Sequence, residues 1–444
     1  MQRRDFLSGA AALAATSFSA TTTGGTVGAP ARRRWPFQPR PLRADGARVN
    51  ATLAAFDAIG RTAGGINRVA YSDADLAGHA FAMARIREAG FEPRVDAAGN
   101  VFARLEGRER IAPILIGSHI DSVTDGGNFD GPVGSFGALE VARSLREQRV
   151  ALRHPLDVVI WQNEEGGTVG SKLFAGMTPT GGLDAVARSG LTIRDGIGRL
   201  GGDVARLGDV AHQAGSVHAY LELHIEQSGL LEKAGRTIGT VQGIVGLRWT
   251  EVTITGFANH AGATAMDQRQ DALLAAARFT VAINEAIRSE PGRQVATVGR
   301  LVPTPNTTNV IPGQVVMTID LRDLDDAKVA RFAERFRRMG TEIGAASGTA
   351  FAFRDIANST AALADARIME AIDASADALG LAHHRQPSGA GHDAQEMAHL
   401  CPMGMIFVPS VGGISHSPRE FTTAEDIAHG VDVLLNAVQR VDAL

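Results

Sequence analysis

IAPILIGSHID (Ile111 to Asp121) and LDVVIWQNEE (Leu156 to Glu165) decide the fold of this chain. Each is an apolar run with little alternation, and each ends in residues that hold protons or cations. An apolar run of strand length that does not alternate is buried on both faces, as in a parallel sheet covered by helices. Between the two runs, GALEVARSLREQ (Gly137 to Gln148) reads as a helix. Strand, helix, strand predicts a mostly parallel sheet. In such sheets sites form beyond the carboxyl ends of strands, which is where His119 and the Glu164-Glu165 pair fall.

Upstream, Asp73 can cap a helix running to about Ala89, with Leu76, Ala80, Met83, Ala84 and Ile86 as its apolar stripe. NVFARLEG (from Asn100) reads as a further strand. A different unit begins near Gly243. LRWTEVTITG is a half-buried strand and DALLAAARFTVAINEAIRSE a long amphipathic helix. RQVATVGRLV, GQVVMTIDLRDL, a second long helix from Asp326 and TAFAFRDIA complete a β-α-β-β-α-β order, the split ferredoxin-like pattern. From Ala361 the helix–strand alternation of the first unit resumes. The expected fold class is α/β: a mixed, mostly parallel sheet domain over 44–242 and 357–444, interrupted by a ferredoxin-like α+β domain over 243–356.

At 444 residues two domains are the natural expectation. Apolar content of 44 % with mixed charge is that of a soluble globular protein. Residues 1–43 carry seven arginines against one acid, Asp5, so the rest of the chain is more acidic than the net charge of −4 suggests. That balance argues against a nucleic-acid partner. Cys401 is the single cysteine, which excludes an internal disulfide and a thiolate metal site. Arg3-Arg4-Asp5-Phe6-Leu7 before a short apolar stretch resembles a bacterial twin-arginine export signal. The stretch is too short for an ordinary membrane span, so no stable membrane anchor is expected. Residues 1–43 read as signal and flexible leader. The expected location is periplasmic or exported, or cytoplasmic if the signal is unused.

Five clusters carry the chemistry: GSHID (117–121), NFDGPVG (128–134), NEEGG (163–167), LELHIEQ (221–227) and GGISHS (412–417). They offer His119, Asp130, Glu165, His224 and His416 as ligands, with Glu164 as a spare carboxylate. Five such ligands suit two divalent ions sharing one carboxylate, and a sixth acid off the metal is what an activated water needs as its base. Taken singly each cluster is unremarkable: a loop histidine, an Asp-Gly turn, a surface strand in which Glu222, His224 and Glu226 alternate onto one face. Glu164-Glu165 is sharper, because two carboxylates closing a buried apolar strand need compensation, and extended neighbours point to opposite faces and so can take different tasks. Asp121, two residues after His119, is placed to accept a hydrogen bond from the second ring nitrogen and fix its tautomer.

In order, GSHxDS, FDGxxG, NEEG, ELHxEQ, NHAG, TNVIPG, DLRD, SGAGHDA and GGISHS resemble the hydantoinase/carbamoylase branch of dinuclear metal-dependent amidohydrolases, related to aminoacylase and carboxypeptidase G. The resemblance spans roughly residues 50–440. It implies Asp130 as the bridging ligand, His119 and His224 on one ion, Glu165 and His416 on the other, and Glu164 as general base. It implies that His260 of NHAG reaches a neighbouring subunit's site to hold the oxyanion, and hence a homodimer. Asn309 and Arg322 resemble binders of a substrate carboxylate, Arg322 through a bidentate fork. Gln227, Gly389, Ala390 and His392 would line the pocket. The inserted domain becomes a lid and dimerisation unit. Where the family reads NHAGTTPM and RRDA, this chain has Ala265 and Gln270, which changes the loop and not the metal centre.

The implied activity is hydrolysis of the ureido or amide C–N bond of N-carbamoyl-L-amino acids or related ureido acids, releasing ammonia and CO2. Allantoate and ureidoglycolate are alternative substrates. The two ions would be Zn, Mn, Co or Ni, since histidine and carboxylate ligands suit all four. An aminoacylase or peptidase is the nearest rival, and His224 in place of their carboxylate speaks against it. A metal-containing binding protein would not need Glu164, nor would a metal-stabilised structural protein need a hinged lid.

Overall fold

The computed structural model describes residues 41–444. The expected twin-arginine segment lies outside the described residues. At the end of the expected leader, the Leu42 N–H donates to Asn436 Oδ1 (3.0 Å) and Arg43 pairs with Asp432 (2.6 Å), both on the helix Ala424–Val441. Residues 42 and 43 therefore belong to the packed body.

The chain first lays down six strands: β1 (Arg94–Val95), β2 (Val101–Leu105), β3 (Ile114–His119), β4 (Leu156–Trp161), β5 (Ala219–Ile225) and β6 (Ile238–Ile244). Next come β7 (Gly246–Thr255), β8 (Asn259–His260), β9 (Val295–Thr304), β10 (Val310–Ile311), β11 (Gln314–Asp323) and β12 (Ala350–Ser359). It then returns with β13 (Ala362–Leu363), β14 (His383–Ser388) and β15 (Met403–Val408). The large sheet runs β1-β2-β4-β3-β5-β15-β6-β13, with β14 also on β6. Its centre, β4-β3-β5-β15, is parallel throughout, and every residue of those four strands is buried. Antiparallel pairs flank it on both sides. The largely parallel sheet read from the two apolar runs is present.

The small sheet is antiparallel in the order β12-β7-β11-β9, with β9 and β12 as edges. Its strand β12 extends to Ser359, three residues beyond the expected boundary. It has its own core, in which Phe279 and Ile283 of one helix and Phe332 and Phe336 of another meet Met317 and Ile319 of β11. Each large apolar side chain so buried contributes about 1.5–3 kcal/mol.

Two local readings need correction. Ser72, not Asp73, caps the helix Asp73–Glu88: its side chain accepts the Asp75 N–H. That helix buries Asp75, Gly78, His79, Ala82 and Ile86, while Leu76 is 39 % exposed. The apolar stripe points elsewhere because the Asp75 carboxylate folds back to accept the Tyr71 N–H at 2.7 Å. Strand β5 is also no surface strand. It lies between β3 and β15, and Glu222 is buried because Ser118 Oγ (2.7 Å), Tyr220 Oη (3.1 Å) and the Ala394 N–H (3.2 Å) all donate to it. A buried carboxylate with three donors is tolerated.

Candidate metal centre

Four of the six candidate metal-centre residues hang from carboxyl ends of the central strands. His119 closes β3, His224 is the penultimate residue of β5, and Glu164 and Glu165 follow β4. Asp130 comes from the turn that enters the helix Pro132–Glu147, and His416 from the loop after β15. The turn at Gly131 has φ +83°, and a Cβ there would lie 2.5 Å from the His119 ring. Glycine is required at this position on both counts.

Each imidazole of the first group is oriented by the main chain. His119 Nδ1 lies 3.1 Å from the Asp121 carbonyl oxygen, and His224 Nδ1 lies 2.8 Å from that of Ile225. With Nδ1 donating to a carbonyl, Nε2 is left as a lone-pair donor facing the site. The expected partner of His119, the Asp121 carboxylate, stands farther off at 3.4 Å. It accepts instead the N–H groups of Glu164 and Glu165, both at 3.2 Å, and so joins the loops after β3 and β4.

Asp130 faces two groups with two different oxygens. Oδ1 lies 3.1 Å from His224 Nε2 and 3.8 Å from His119 Nε2, whereas Oδ2 lies 3.1 Å from His416 Nε2. His416 Nε2 is in turn 3.4 Å from Glu165 Oε1. Within each set, His119–Asp130–His224 and Asp130–Glu165–His416, the candidate ligand atoms all lie within 4.8 Å of one another. Glu164 stands beside them, its Oε2 3.8 Å from His119 Nε2. Glu222, His224 and His392 form a third close group, but Glu222 is already engaged as described.

The electrostatics bear on what this pocket can hold. Burial opposes charge on His119, yet Glu164, Asp121 and Asp130 outweigh it and hold its pKa well above the usual value. Burial likewise opposes charge on His224, and Asp130 raises it. Hydrogen bonding to Asp130 lifts His416 to about 9. Burial and then Asp130 push Glu165 up to about 7. Burial, with Glu165 adding repulsion, holds Glu164 well above its normal range, although His119 pulls the other way. A cluster whose imidazoles are driven to take protons is short of positive charge. His224 Nε2 is buried and makes no hydrogen bond, because its contact with Asp130 has the distance but not the alignment. An imidazole and carboxylate donor set with such an orphaned nitrogen fits divalent cations.

The remaining candidates divide. Gln227, Arg322, Ala390 and His392 line a cavity of about 970 Å³ that also reaches all six centre residues. Gln227 is not free in it, for its Nε2 donates to Asp130 Oδ2 at 2.7 Å. Arg322 directs Nε and Nη2 at Asp320 (2.9 and 2.8 Å) and Nη1 at the Gly389 carbonyl (2.7 Å). His260 and Asn309 lie outside the cavity, exposed and adjacent at the β8–β10 tip, where His260 pairs with Val310. His260 Nδ1 accepts the N–H groups of Gly262 (3.0 Å) and Ala263 (3.1 Å), which leaves its proton on Nε2. No motif pointed to Glu420. It is buried, accepts the N–H groups of Phe129 (2.9 Å) and Asp130 (3.0 Å), and takes the Ser415 hydroxyl at 2.9 Å. Its only sequence signal is an acid four residues after His416.

Paired donor sets sharing one aspartate at the carboxyl edge of a parallel sheet, with a buried carboxylate to spare, are the working parts of a metal-dependent hydrolase. The chain belongs to Peptidase family M20/M25/M40, whose model matches residues 115–440. It is 38 % identical to an N-carbamoyl-L-amino acid amidohydrolase of Geobacillus stearothermophilus, over 88 % of this chain and 98 % of that one. It is 34 % identical to a ureidoglycolate hydrolase of Oryza sativa subsp. japonica, over 85 % of this chain and 80 % of that one. The crystal structure of a hydantoinase/carbamoylase family amidase from Burkholderia multivorans superimposes with a TM-score of 0.85 at 39 % identity, covering 91 % of this chain and 99 % of that one. Like these relatives it is a hydrolase acting on C–N bonds. Among the described residues no helix is long and apolar enough to cross a membrane.

Proposed function

We propose that this enzyme hydrolyses the ureido C–N bond of N-carbamoyl-L-amino acids, yielding the free amino acid, ammonia and CO2. The observation that carries the reading is Asp130, which presents Oδ1 to one imidazole pair and Oδ2 to the His416–Glu165 pair while Glu164 belongs to neither close set. His119, Asp130 and His224 would hold one divalent ion, and Asp130, Glu165 and His416 a second, with Zn, Mn, Co or Ni as candidates. Bound there, the ions would polarise the substrate carbonyl and lower the pKa of an attacking water.

The chain's own residues supply the rest. Glu164, lifted in pKa by burial, takes the proton of the water and returns it to the departing nitrogen. Arg322 reads the substrate carboxylate. Of its five N–H groups three are committed, so about two remain for an incoming oxygen pair. His260, with its proton fixed on Nε2 and its ring exposed, donates to the developing oxyanion of a second copy's site; one such donor is worth about 3–4 kcal/mol. Asn309 beside it would enter the same neighbouring site. A homodimer follows, for which the edge strand β9, with Val295, Leu301 and Val302 exposed, supplies apolar surface. Residues 243–356 act as lid and dimerisation domain, and the N-terminal segment directs export.

The second reading, ureidoglycolate or allantoate as substrate, is favoured by the ureidoglycolate hydrolase relatives. Turnover of N-carbamoyl-L-amino acids, allantoate and ureidoglycolate, read by ammonia release, and of an N-acetyl amino acid, read by release of the free amino acid, after chelation and metal return, tests both. Turnover of the N-carbamoyl acids in preference to the others is expected. Preference for the N-acetyl compound would overturn the ureido assignment.

A further inference from the structure

Arg68 and Tyr71 lie in a segment that none of the nine motifs contains, yet between them they touch three of the loops that carry candidate metal ligands. Arg68 is 1 % exposed. Its guanidinium donates to the Ile120 carbonyl (3.2 Å), the Ile59 carbonyl (2.8 Å) and Asn128 Oδ1 (3.0 Å), and it stacks 4.0 Å from the Phe56 ring centroid. Its main chain exchanges hydrogen bonds with Ser122, N–H to Oγ at 2.9 Å and carbonyl to N–H at 3.0 Å. Ile120 follows His119 directly, and Asn128 stands two residues before Asp130. One rigid, planar donor set therefore spans the loops of His119 and Asp130.

Tyr71 does the same for the third loop. It is fully buried and holds φ +68°, a left-handed conformation that a bulky residue adopts only when its surroundings impose it. Its N–H is held by Asp75 Oδ2 (2.7 Å), and its hydroxyl receives Asn163 Nδ2 at 3.1 Å. Asn163 is itself left-handed, at φ +51°, and immediately precedes Glu164 and Glu165. A buried guanidinium bonded to neutral oxygens is costly to keep, and burial lowers its pKa only to about 10, so it stays charged at neutral pH. Packing alone would be served as well by an apolar side chain of similar volume.

We propose that Arg68 and Tyr71 are positioning residues of the metal centre: Arg68 sets the separation of His119 from Asp130, and Tyr71 sets the strand end that presents Glu164 and Glu165. The proposal rests on the dinuclear reading of those ligands. Residues behind a metal ligand commonly alter affinity about 10–100-fold when lost.

The test is a titration of the metal-free, full-length chain with Co²⁺, read by visible absorbance and by competition with a chelator. Tyr71→Phe, which removes one hydroxyl, is expected to weaken one of the two Co²⁺ sites about 10–100-fold and change its absorption band. Arg68→Met, which loosens the His119 loop and the loop of the shared Asp130, is expected to weaken both sites, and Arg68→Lys to recover part of the loss. Thermal unfolding of the metal-free variants separates positioning from folding. If Arg68→Met does not fold, Tyr71→Phe and Arg68→Lys decide the matter. Two sites of unchanged affinity and spectrum in Tyr71→Phe and Arg68→Lys, or a loss that merely tracks lowered stability, overturns the proposal. Failure of the unmodified chain to bind two Co²⁺ overturns the dinuclear reading and this proposal with it.

Discussion

Glu164→Gln is the sharpest perturbation of the proposed chemistry, because it removes a proton acceptor while leaving the loop intact. The Glu164 N–H is held by Asp121 Oδ1, and its carbonyl accepts the N–H groups of Gly167 and Thr168, both at 2.8 Å. None of these involves the side chain. The carboxylate is about 10 % exposed and belongs to neither ligand set around Asp130, so a glutamine of equal size keeps the packing and both sets. What disappears is the base. General acid–base catalysis is typically worth 10²–10⁴ in rate, or about 3–5 kcal/mol of barrier. Ammonia release from an N-carbamoyl-L-amino acid at saturating metal should therefore fall by at least about a hundredfold, with metal content by plasma mass spectrometry unchanged. Residual turnover within tenfold of the unmodified enzyme would remove Glu164 from the base role. Loss of activity in proportion to lost metal would make it a ligand instead.

Other consequences are simpler to measure. Gly131→Ala imposes a Cβ at φ +83° and drives it into the His119 ring; metal affinity measured by chelator competition should drop at least about tenfold, and unchanged binding would contradict the local geometry. Cys401 is buried, and burial raises its thiol to about 12, so it should resist a thiol reagent at pH 8 until the chain unfolds. Rapid labelling of the native protein would contradict that packing. His383 has its pKa raised chiefly by the Asp373 carboxylate, 3.4 Å from Nδ1, then by Asp377, which lies 3.1 Å from Nε2. A raised imidazole stabilises the fold fully below the unfolded value of about 6.5 and loses that contribution as pH rises through the folded value. His383→Gln should thus cost at most about 1 kcal/mol at pH 6 in urea denaturation and progressively less toward alkaline pH; an equal cost throughout would show a packing effect.

Sequence alone placed His119 and the Glu164-Glu165 pair at the carboxyl edge of the large sheet, because short apolar runs on either side of a helix read as parallel strands and the fold rule supplies the location. Burial of β5 was not legible from LELHIEQ. Its alternation of Glu222, His224 and Glu226 is that of a solvated strand, and only donors from Ser118, Tyr220 and Ala394 make burial of Glu222 tolerable. The helix Asp73–Glu88 misled for a similar reason: its buried face is chosen by Asp75 reaching Tyr71, a contact with no periodic signature. Residues that support ligands rather than supply them (Arg68, Tyr71 and Glu420) act through isolated bonds to main-chain and side-chain groups distant in sequence. Such bonds leave no spacing to read.

Everything turns on Asp130 serving two cations with its two oxygens, and counting metal equivalents tests that most directly. Metal-free enzyme reconstituted with zinc or manganese and analysed by plasma mass spectrometry should hold two ions per subunit, while Asp130→Asn should weaken both sites together. One ion per subunit in the unmodified enzyme, or an Asp130→Asn variant that keeps one site at full affinity, would contradict the shared carboxylate.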